Sequence, residues 1–90
     1  MAIMPEPGTG TGFTGVEFLS QVDQPIYFYV YNDQPTFNTG DSFVFTSTSG
    51  AANDATYNGE YKVVEVVYQP VQDRWRIKTT AIGTEYNSGS

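Results

Sequence analysis

The sequence predicts an all-β protein, a small antiparallel β-barrel or compact sandwich of about five or six strands with an extended N-terminal arm. Two features predict this fold class. From residue 26 onward, apolar and polar side chains alternate along short runs that are rich in aromatic and β-branched residues. Glycine, proline, asparagine and aspartate separate these runs, as expected for turns between strands. The chain has 90 residues, the length of one small domain.

The first quarter of the chain differs in amino-acid composition from the rest. Prolines and the glycine–threonine run at residues 8–15 disfavour both a helix and a central strand. We therefore expect an extended arm over residues 1–25 and a single barrel or sandwich domain over residues 26–90. Within the arm, residues 16–22 are compatible with either a short helical turn or an extended strand.

The first clear strand is predicted over residues 26–31. Its apolar face carries Ile26, Phe28 and Val30, and its other face carries Tyr27, Tyr29 and Tyr31. Tyrosine is common at protein interfaces because it combines a large contact area with a hydrogen-bonding hydroxyl. Three uses of this tyrosine row remain open: contact with another subunit, packing against a neighbouring strand, and stacking on a ligand.

Residues 37–80 predict a β-meander of three further strands. The predicted turns lie at residues 39–41, 58–59 and 69–73, and the strands that follow them lie at residues 42–46, 61–68 and 74–79. The middle strand changes phase, because Tyr61 and Val63 alternate on one face whereas Val64, Val66 and Tyr68 fall on the other. Such a change predicts a β-bulge, which bends a sheet toward closure.

The last strand of this meander places its cations in one row. Arg74, Arg76 and Lys78 alternate with Trp75, Ile77 and Thr79. The row is either an exposed face neutralised by Glu60 and Glu65 across the hairpin, or a basic strip that meets an acidic partner surface. Trp75 shares the phase of Ile77, which favours a core or interface position over a sugar-binding platform.

Composition excludes several classes of function. The chain has no cysteine and no histidine, so it lacks disulfides, thiolate ligands and the side chain most used for proton transfer near neutral pH. We expect no cofactor, no metal, no catalytic residue and no enzymatic activity. The net charge of −6 disfavours nucleic acid. No apolar run approaches the ~18 residues of a membrane span, so we expect no membrane partner.

Two turn-and-strand units carry a resemblance to a known family. They are Gly40-Asp41-Ser42-Phe43-Val44-Phe45 and Tyr57-Asn58-Gly59-Glu60-Tyr61-Lys62-Val63, the latter followed by Val66. Their order, G-D-x-V, a variable loop, N-G-x-Y-x-V-x-x-V and a short final strand, resembles a small β-barrel motif of tailed-bacteriophage virion proteins. The resemblance covers residues 37–80. Phenylalanine stands in the first strand where smaller aliphatic residues are usual, and residues 1–25 fall outside the motif.

The resemblance implies a non-enzymatic structural protein of a phage virion, made in the host cytoplasm. Similar barrels serve in capsid decoration and in tail or baseplate parts. We expect a capsid decoration (cement) protein that binds and stabilises the shell, with a tail or baseplate protein and a carbohydrate-binding β module as alternatives. Its expected partners are the major capsid protein or another virion subunit and further copies of itself, for example in a trimer.

The expected interface combines the arm with the two rows of the sheet. A domain this small gains stability by oligomerising or by docking onto a larger body. The arm would supply apolar anchors, and the sheet would supply tyrosines and cations. The candidate interface residues are Ile3, Phe13, Phe18, Leu19, Tyr27, Tyr29, Tyr31, Arg74, Arg76 and Lys78.

Overall fold

A computed structural model describes residues 2–5, 12–13, 16–31, 34–47 and 57–89. The strands are β1 (Ala2–Pro5), β2 (Gly12–Phe13), β3 (Glu17–Ser20), β4 (Pro25–Val30), β5 (Ser42–Ser47), β6 (Gly59–Gln69), β7 (Arg74–Ile82) and β8 (Asn87–Gly89). They form one antiparallel sheet in the order β2-β1-β5-β6-β7-β4-β3-β8. The six strands of four or more residues curl into a half-barrel, which confirms the predicted all-β class. None of the described residues lies in an α-helix, and thus none of them in a helix able to cross a membrane.

The predicted meander is present as β5, β6 and β7, which are neighbours in the sheet. Its turns use residues that tolerate a left-handed backbone. Gly40 before β5 has a φ of 95°, and Gly59 at the start of β6 has a φ of 144°. Asp73, at the end of the turn between β6 and β7, has a φ of 54°, a conformation that aspartate adopts more readily than most residues. Local turn chemistry thus fixes the meander.

The predicted bulge lies in β6, where the pairing with β7 shifts register between Val63 and Glu65. Its effect on the following residues differs from simple alternation. Val66 pairs with Ile77 and packs against the core, so the bulge returns it to the face of Tyr61 and Val63. The Thr39 hydroxyl donates a hydrogen bond of 2.9 Å to the carbonyl of Val64, the extra residue. The bulge therefore keeps the inner face of β6 apolar along its length.

Aromatic rings fill the inside of the half-barrel. The ring of Phe28, on β4, lies at the centre of the group, with its centroid 4.7 Å from Tyr61 and 4.9 Å from Phe45. Tilted and edge-to-face contacts of this kind are favourable beyond the area that they bury. The buried core residues are Val16, Phe18, Ile26, Phe28, Val30, Phe37, Phe43, Phe45, Tyr57, Val63 and Ile77.

Part of the predicted arm belongs to this core. Residues 16–22 contain the strand β3, which settles the choice between a helical turn and a strand. β3 pairs with β4 on one side and β8 on the other, and Phe18 on β3 is 1% exposed. The expected boundary at residue 25 thus falls between two paired strands of the sheet. The preceding strands are also paired within the chain, β1 with β5 and β2 with β1.

The turn after β3 is held against the end of β7 through Gly83. A β-carbon on this glycine would lie 2.3 Å from the carbonyl oxygen of Gln21, so the close approach requires glycine. The amide of Gly83 donates to the carbonyl of Gln24 at 2.8 Å, and its carbonyl accepts from the amide of Asp23 at 3.0 Å. These contacts fix the position of β3 and β4 relative to β7.

Candidate functional site

The register between β4 and β7 brings the two predicted rows together on the outer face of the sheet. Tyr27 lies opposite Lys78, and Tyr29 lies opposite Arg76. Tyr31 directly follows β4, and its hydroxyl contacts Arg74, the first residue of β7. We call these six residues the tyrosine–cation face: Tyr27, Tyr29, Tyr31, Arg74, Arg76 and Lys78. Sequence analysis predicted both rows but not their adjacency.

Arg74 is held in place without a carboxylate partner among the described residues. Its guanidinium carbon lies 3.8 Å from the ring centroid of Tyr29, a close cation–π contact. Its Nε donates to Oε1 of Gln69 at 2.7 Å, and its Nη1 donates to the hydroxyl of Tyr31 at 3.2 Å. The Tyr31 hydroxyl in turn donates to Oε1 of Glu17. Three neutral groups therefore orient the guanidinium, which forms no direct salt bridge with a described carboxylate, and Glu17 reaches it only through the Tyr31 hydroxyl.

Arg76 differs from Arg74 because it forms a salt bridge. Its Nη2 lies 3.2 Å from Oε1 of Glu65, and its guanidinium carbon lies 4.8 Å from the ring centroid of Tyr27. Glu65 is thus one of the two predicted neutralising partners. Glu60, the other, lies opposite Val44 on β5 and so pairs on the far side of β6. Lys78 lies opposite Glu65 but forms no salt bridge with any residue of the described ranges.

Burial favours the neutral form of the Tyr29 phenol. Desolvation raises the pKa of Tyr29 above its usual value, and the charges of Arg74 and Arg76 partly oppose the rise. Tyr29 is 8% exposed, whereas Tyr31 is 38% exposed. Tyr27 and Tyr29 therefore pack against the neighbouring strand, β7. Tyr31 keeps an accessible surface at the end of the row.

A groove of about 240 Å³ opens beside Arg74 on this outer face. Its lining residues are Glu17, Phe18, Leu19, Tyr29, Arg74, Tyr86 and Ser88. Glu17 and Leu19 point outward because they alternate with buried Phe18 on β3, and Ser88 lies opposite Leu19 on β8. Sequence analysis missed Glu17, Tyr86 and Ser88. The alternation of Glu17 with Phe18 was a usable signal, whereas nothing in the sequence placed residues 86–88 beside β3.

The predicted arm anchors have different positions. Phe18 is in the core of its own chain, so its side chain offers no contact surface to a partner. Leu19 is half-buried and lines the groove. The side chains of Ile3 and Phe13 lie outside the described residues, although their backbones belong to β1 and β2.

Trp75 occupies the end of the inner face rather than its centre. It pairs with Tyr68 across the hairpin, and the two ring centroids are 5.0 Å apart. Trp75 is half-buried and Tyr68 is 41% exposed, so this aromatic pair is neither fully core nor fully exposed. The Tyr68 hydroxyl donates to Oδ1 of Asp73 at 2.6 Å.

The outer face brings together phenols, cations and a groove. No three acidic side chains among them lie close enough together to hold a metal ion. Protein-family models, curated proteins and solved structures were each compared with the chain, and none matches it. A function must therefore be inferred from the surface of the protein itself. It offers an ordered cation, phenols that range from buried Tyr29 to exposed Tyr31, and a shallow groove.

Proposed function

We propose that this chain is a non-enzymatic structural protein of a phage virion, a capsid decoration protein that binds and stabilises the shell. The observation that carries the proposal is the tyrosine–cation face, with Arg74 oriented on Tyr29 but not neutralised by a described carboxylate. Arginine and tyrosine dominate the binding energy of protein interfaces, because they combine contact area with directed hydrogen bonds. The resemblance of residues 37–80 to virion barrels supports the same proposal.

The open sheet adds a second supporting feature. The half-barrel ends in two short strands, β2 and β8, and each has one neighbouring strand within the described part of the chain. A strand edge of this kind can pair with a further chain. A small subunit repeated over a shell needs only modest affinity at each contact, because several contacts act together.

The proposed partners are the major capsid protein or another virion subunit, and further copies of the chain in an oligomer such as a trimer. The protein would thus reside in the virion. The tyrosine–cation face would contact the shell, and β2, which lies at one edge of the described sheet, would pair with a neighbouring subunit. In this division the side chain of Phe18 stays in the core of the half-barrel and contacts no partner.

Quantitative mass spectrometry of purified particles tests the proposal. A decoration protein is expected at a copy number comparable to that of the shell subunit. A tail or baseplate protein, the alternative with the same barrel, is expected at the few copies of a small symmetric ring. Absence from purified particles would contradict both.

The contribution of the N-terminal segment is tested by deletion. Removal of residues 1–25 would also remove β3 and open the core, so the informative variant lacks residues 1–13 only. Circular dichroism should show that this variant remains folded, while its incorporation into particles falls. Unchanged incorporation would show that the segment has no role in docking.

Carbohydrate binding is a second candidate function, favoured by the Trp75–Tyr68 pair at the end of the half-barrel. An aromatic pair with accessible area can stack on a sugar ring. Tryptophan fluorescence measured across a glycan panel tests this candidate, since Trp75 is the sole tryptophan of the chain. A saturable change that Tyr68→Ala abolishes would support it, and an unchanged spectrum would reject it.

A further inference from the structure

We infer that the groove beside Arg74 binds a carboxylate side chain of an extended peptide segment presented by the partner. The inference deepens the proposed function, and it rests on that function for the identity of the partner as a virion subunit. The binding chemistry itself belongs to the isolated chain.

Arg74 has the charge and the free donors that a carboxylate requires. A guanidinium carries five N–H groups, and two of them are used here, one by Gln69 and one by Tyr31. The remaining N–H groups have no partner among the described contacts, and they are available to a ligand. The only salt bridge in the described part of the chain joins Arg76 to Glu65, so Arg74 is the arginine of the pair that forms no direct salt bridge with a described carboxylate. A planar guanidinium with adjacent free N–H groups matches a carboxylate in a two-bond arrangement.

The guanidinium is also fixed before a ligand arrives. It stacks on Tyr29, and its two hydrogen bonds hold the orientation of its plane. Tyr29 in turn lies on a strand within the sheet, and only 8% of its surface is exposed. A side chain that is already ordered loses little conformational entropy on binding, which favours affinity and specificity.

The size of the groove argues for a peptide side chain and against a larger ligand. Its volume of about 240 Å³ lies below the ~300–1,000 Å³ of ordinary small-molecule pockets. The open shape and apolar flank of Leu19 suit one or two side chains of an extended segment. Tyr86, which is 70% exposed, can pack over such a segment.

Electrostatics favours a carboxylate over a phosphate. Both oxyanions fit a guanidinium, but Glu17 also lines the groove and the chain has a net charge of −6. These negative charges penalise a dianion more than a monoanion. The Glu17 carboxylate accepts the Tyr31 hydroxyl, and the same hydroxyl accepts from Arg74, so the negative charge of Glu17 lies one hydroxyl away from the guanidinium.

The test uses the intact chain and a blocked pentapeptide with a central glutamate between two leucines. The control peptides carry glutamine or phosphoserine at the centre. Binding is followed by ¹H–¹⁵N correlation spectra that include the Nε–H of Arg74. We expect saturable shifts at Arg74, Leu19 and Ser88, with a dissociation constant on the order of 1 mM for so short a ligand.

Matched variants locate the site. Arg74→Gln should weaken binding of the glutamate peptide at least about tenfold, whereas Arg76→Gln, which removes a cation that is already neutralised, should change it less than about twofold. Tyr86→Ala should weaken binding without affecting the fold, because this side chain is largely exposed. Thermal unfolding of each variant verifies that it is folded.

Several results would overturn the inference. These are equal binding of the glutamate and glutamine peptides, tighter binding of the phosphoserine peptide, or unchanged binding by Arg74→Gln or Tyr86→Ala. Concentration-dependent shifts at Arg74 without peptide would assign the groove to a second copy of the chain instead. If peptide binding fails while the chain is found in particles, the inference alone is wrong. If the peptide binds but particles lack the chain, the proposed function is wrong.

Discussion

The two faces of β4 and β7 use aromatic rings in opposite ways. On the inner face, Phe28 contacts four other rings and is fully buried, so its packing is complete within the chain. On the outer face, Tyr29 and Tyr27 lie under guanidinium groups, and Tyr31 remains partly exposed. The inner face thus stabilises the fold by itself. The outer face is ordered as well, and it is the surface that we propose to bind a partner.

Aromatic content alone therefore does not identify a binding surface. The two faces differ in the charged groups that surround their aromatic rings. Among the described residues, no charged side chain belongs to the inner core cluster, whereas the outer face has one arginine in a salt bridge, Arg76, and one, Arg74, that forms none. Substitutions on the inner face should therefore lower stability, whereas substitutions on the outer face should lower binding to a partner.

The largest expected effect is on the inner face. Phe28→Ala removes a ring that contacts four others, and it should cost about 3–5 kcal/mol in the free energy of unfolding. This is comparable to the whole stability of a small domain, so the variant should be largely unfolded at 25 °C. Tyr27→Ala, the neighbour on the outer face, should cost far less. Urea unfolding followed by circular dichroism measures both, and equal losses would contradict the distinction between the faces.

A second, smaller effect depends on pH and compares tyrosines on the two faces. Burial raises the pKa of Tyr61 and of Tyr29 above the usual 10.0. Because the folded state favours the neutral phenol, this contribution to stability is complete below about pH 10 and is lost as the pH rises through the raised folded pKa. Alkaline solutions should therefore destabilise the fold.

Substitution separates the two contributions. Tyr61→Phe should reduce the alkaline loss more than Tyr29→Phe, because Arg74 and Arg76 favour the phenolate of Tyr29. At neutral pH, Tyr61→Phe should cost about 1 kcal/mol, since its hydroxyl no longer donates to the carbonyl of Tyr57. Urea unfolding at a series of pH values measures both quantities. A stability that does not fall in alkali would contradict this account.

The smallest effect on stability is expected at the outer salt bridge. Glu65→Gln removes the partner of Arg76, but the Glu65 side chain is 46% exposed, so the loss should be only about 0.2–1 kcal/mol. The same change leaves Arg76 uncompensated beside Arg74. Binding of the glutamate peptide should therefore become tighter, and a weaker interaction would show that Glu65 orients the face rather than neutralising it.

Sequence predicted the strands of this fold better than it predicted their neighbours. Alternation and turn residues located β4 to β7, and the phase change located the bulge in β6. The same pattern could not show that β4 lies beside β7, because the pairing of distant strands depends on the closure of the whole sheet. The two rows of the tyrosine–cation face were thus predicted separately, and their cation–π contacts were not.

The first quarter of the chain shows where local reasoning fails. Glycine and proline around β3 predicted an arm, yet its four residues place Phe18 in the core. The strand is stabilised by its neighbours, β4 and β8, and by the close approach at Gly83, none of which is local in sequence. The groove was missed for the same reason, since β8 closes it from the far end of the chain.

If the tyrosine–cation face is the docking surface, hydroxyl-radical footprinting should show it as a difference between the free chain and the chain bound to particles. Tyr31 and Tyr86 are accessible in the free chain, and their oxidation should fall strongly on binding. Oxidation of Tyr68, at the end of the half-barrel, should not change. Protection of Tyr68 and Trp75 with Tyr31 still fully oxidised would contradict the claim and would place docking at the end of the half-barrel.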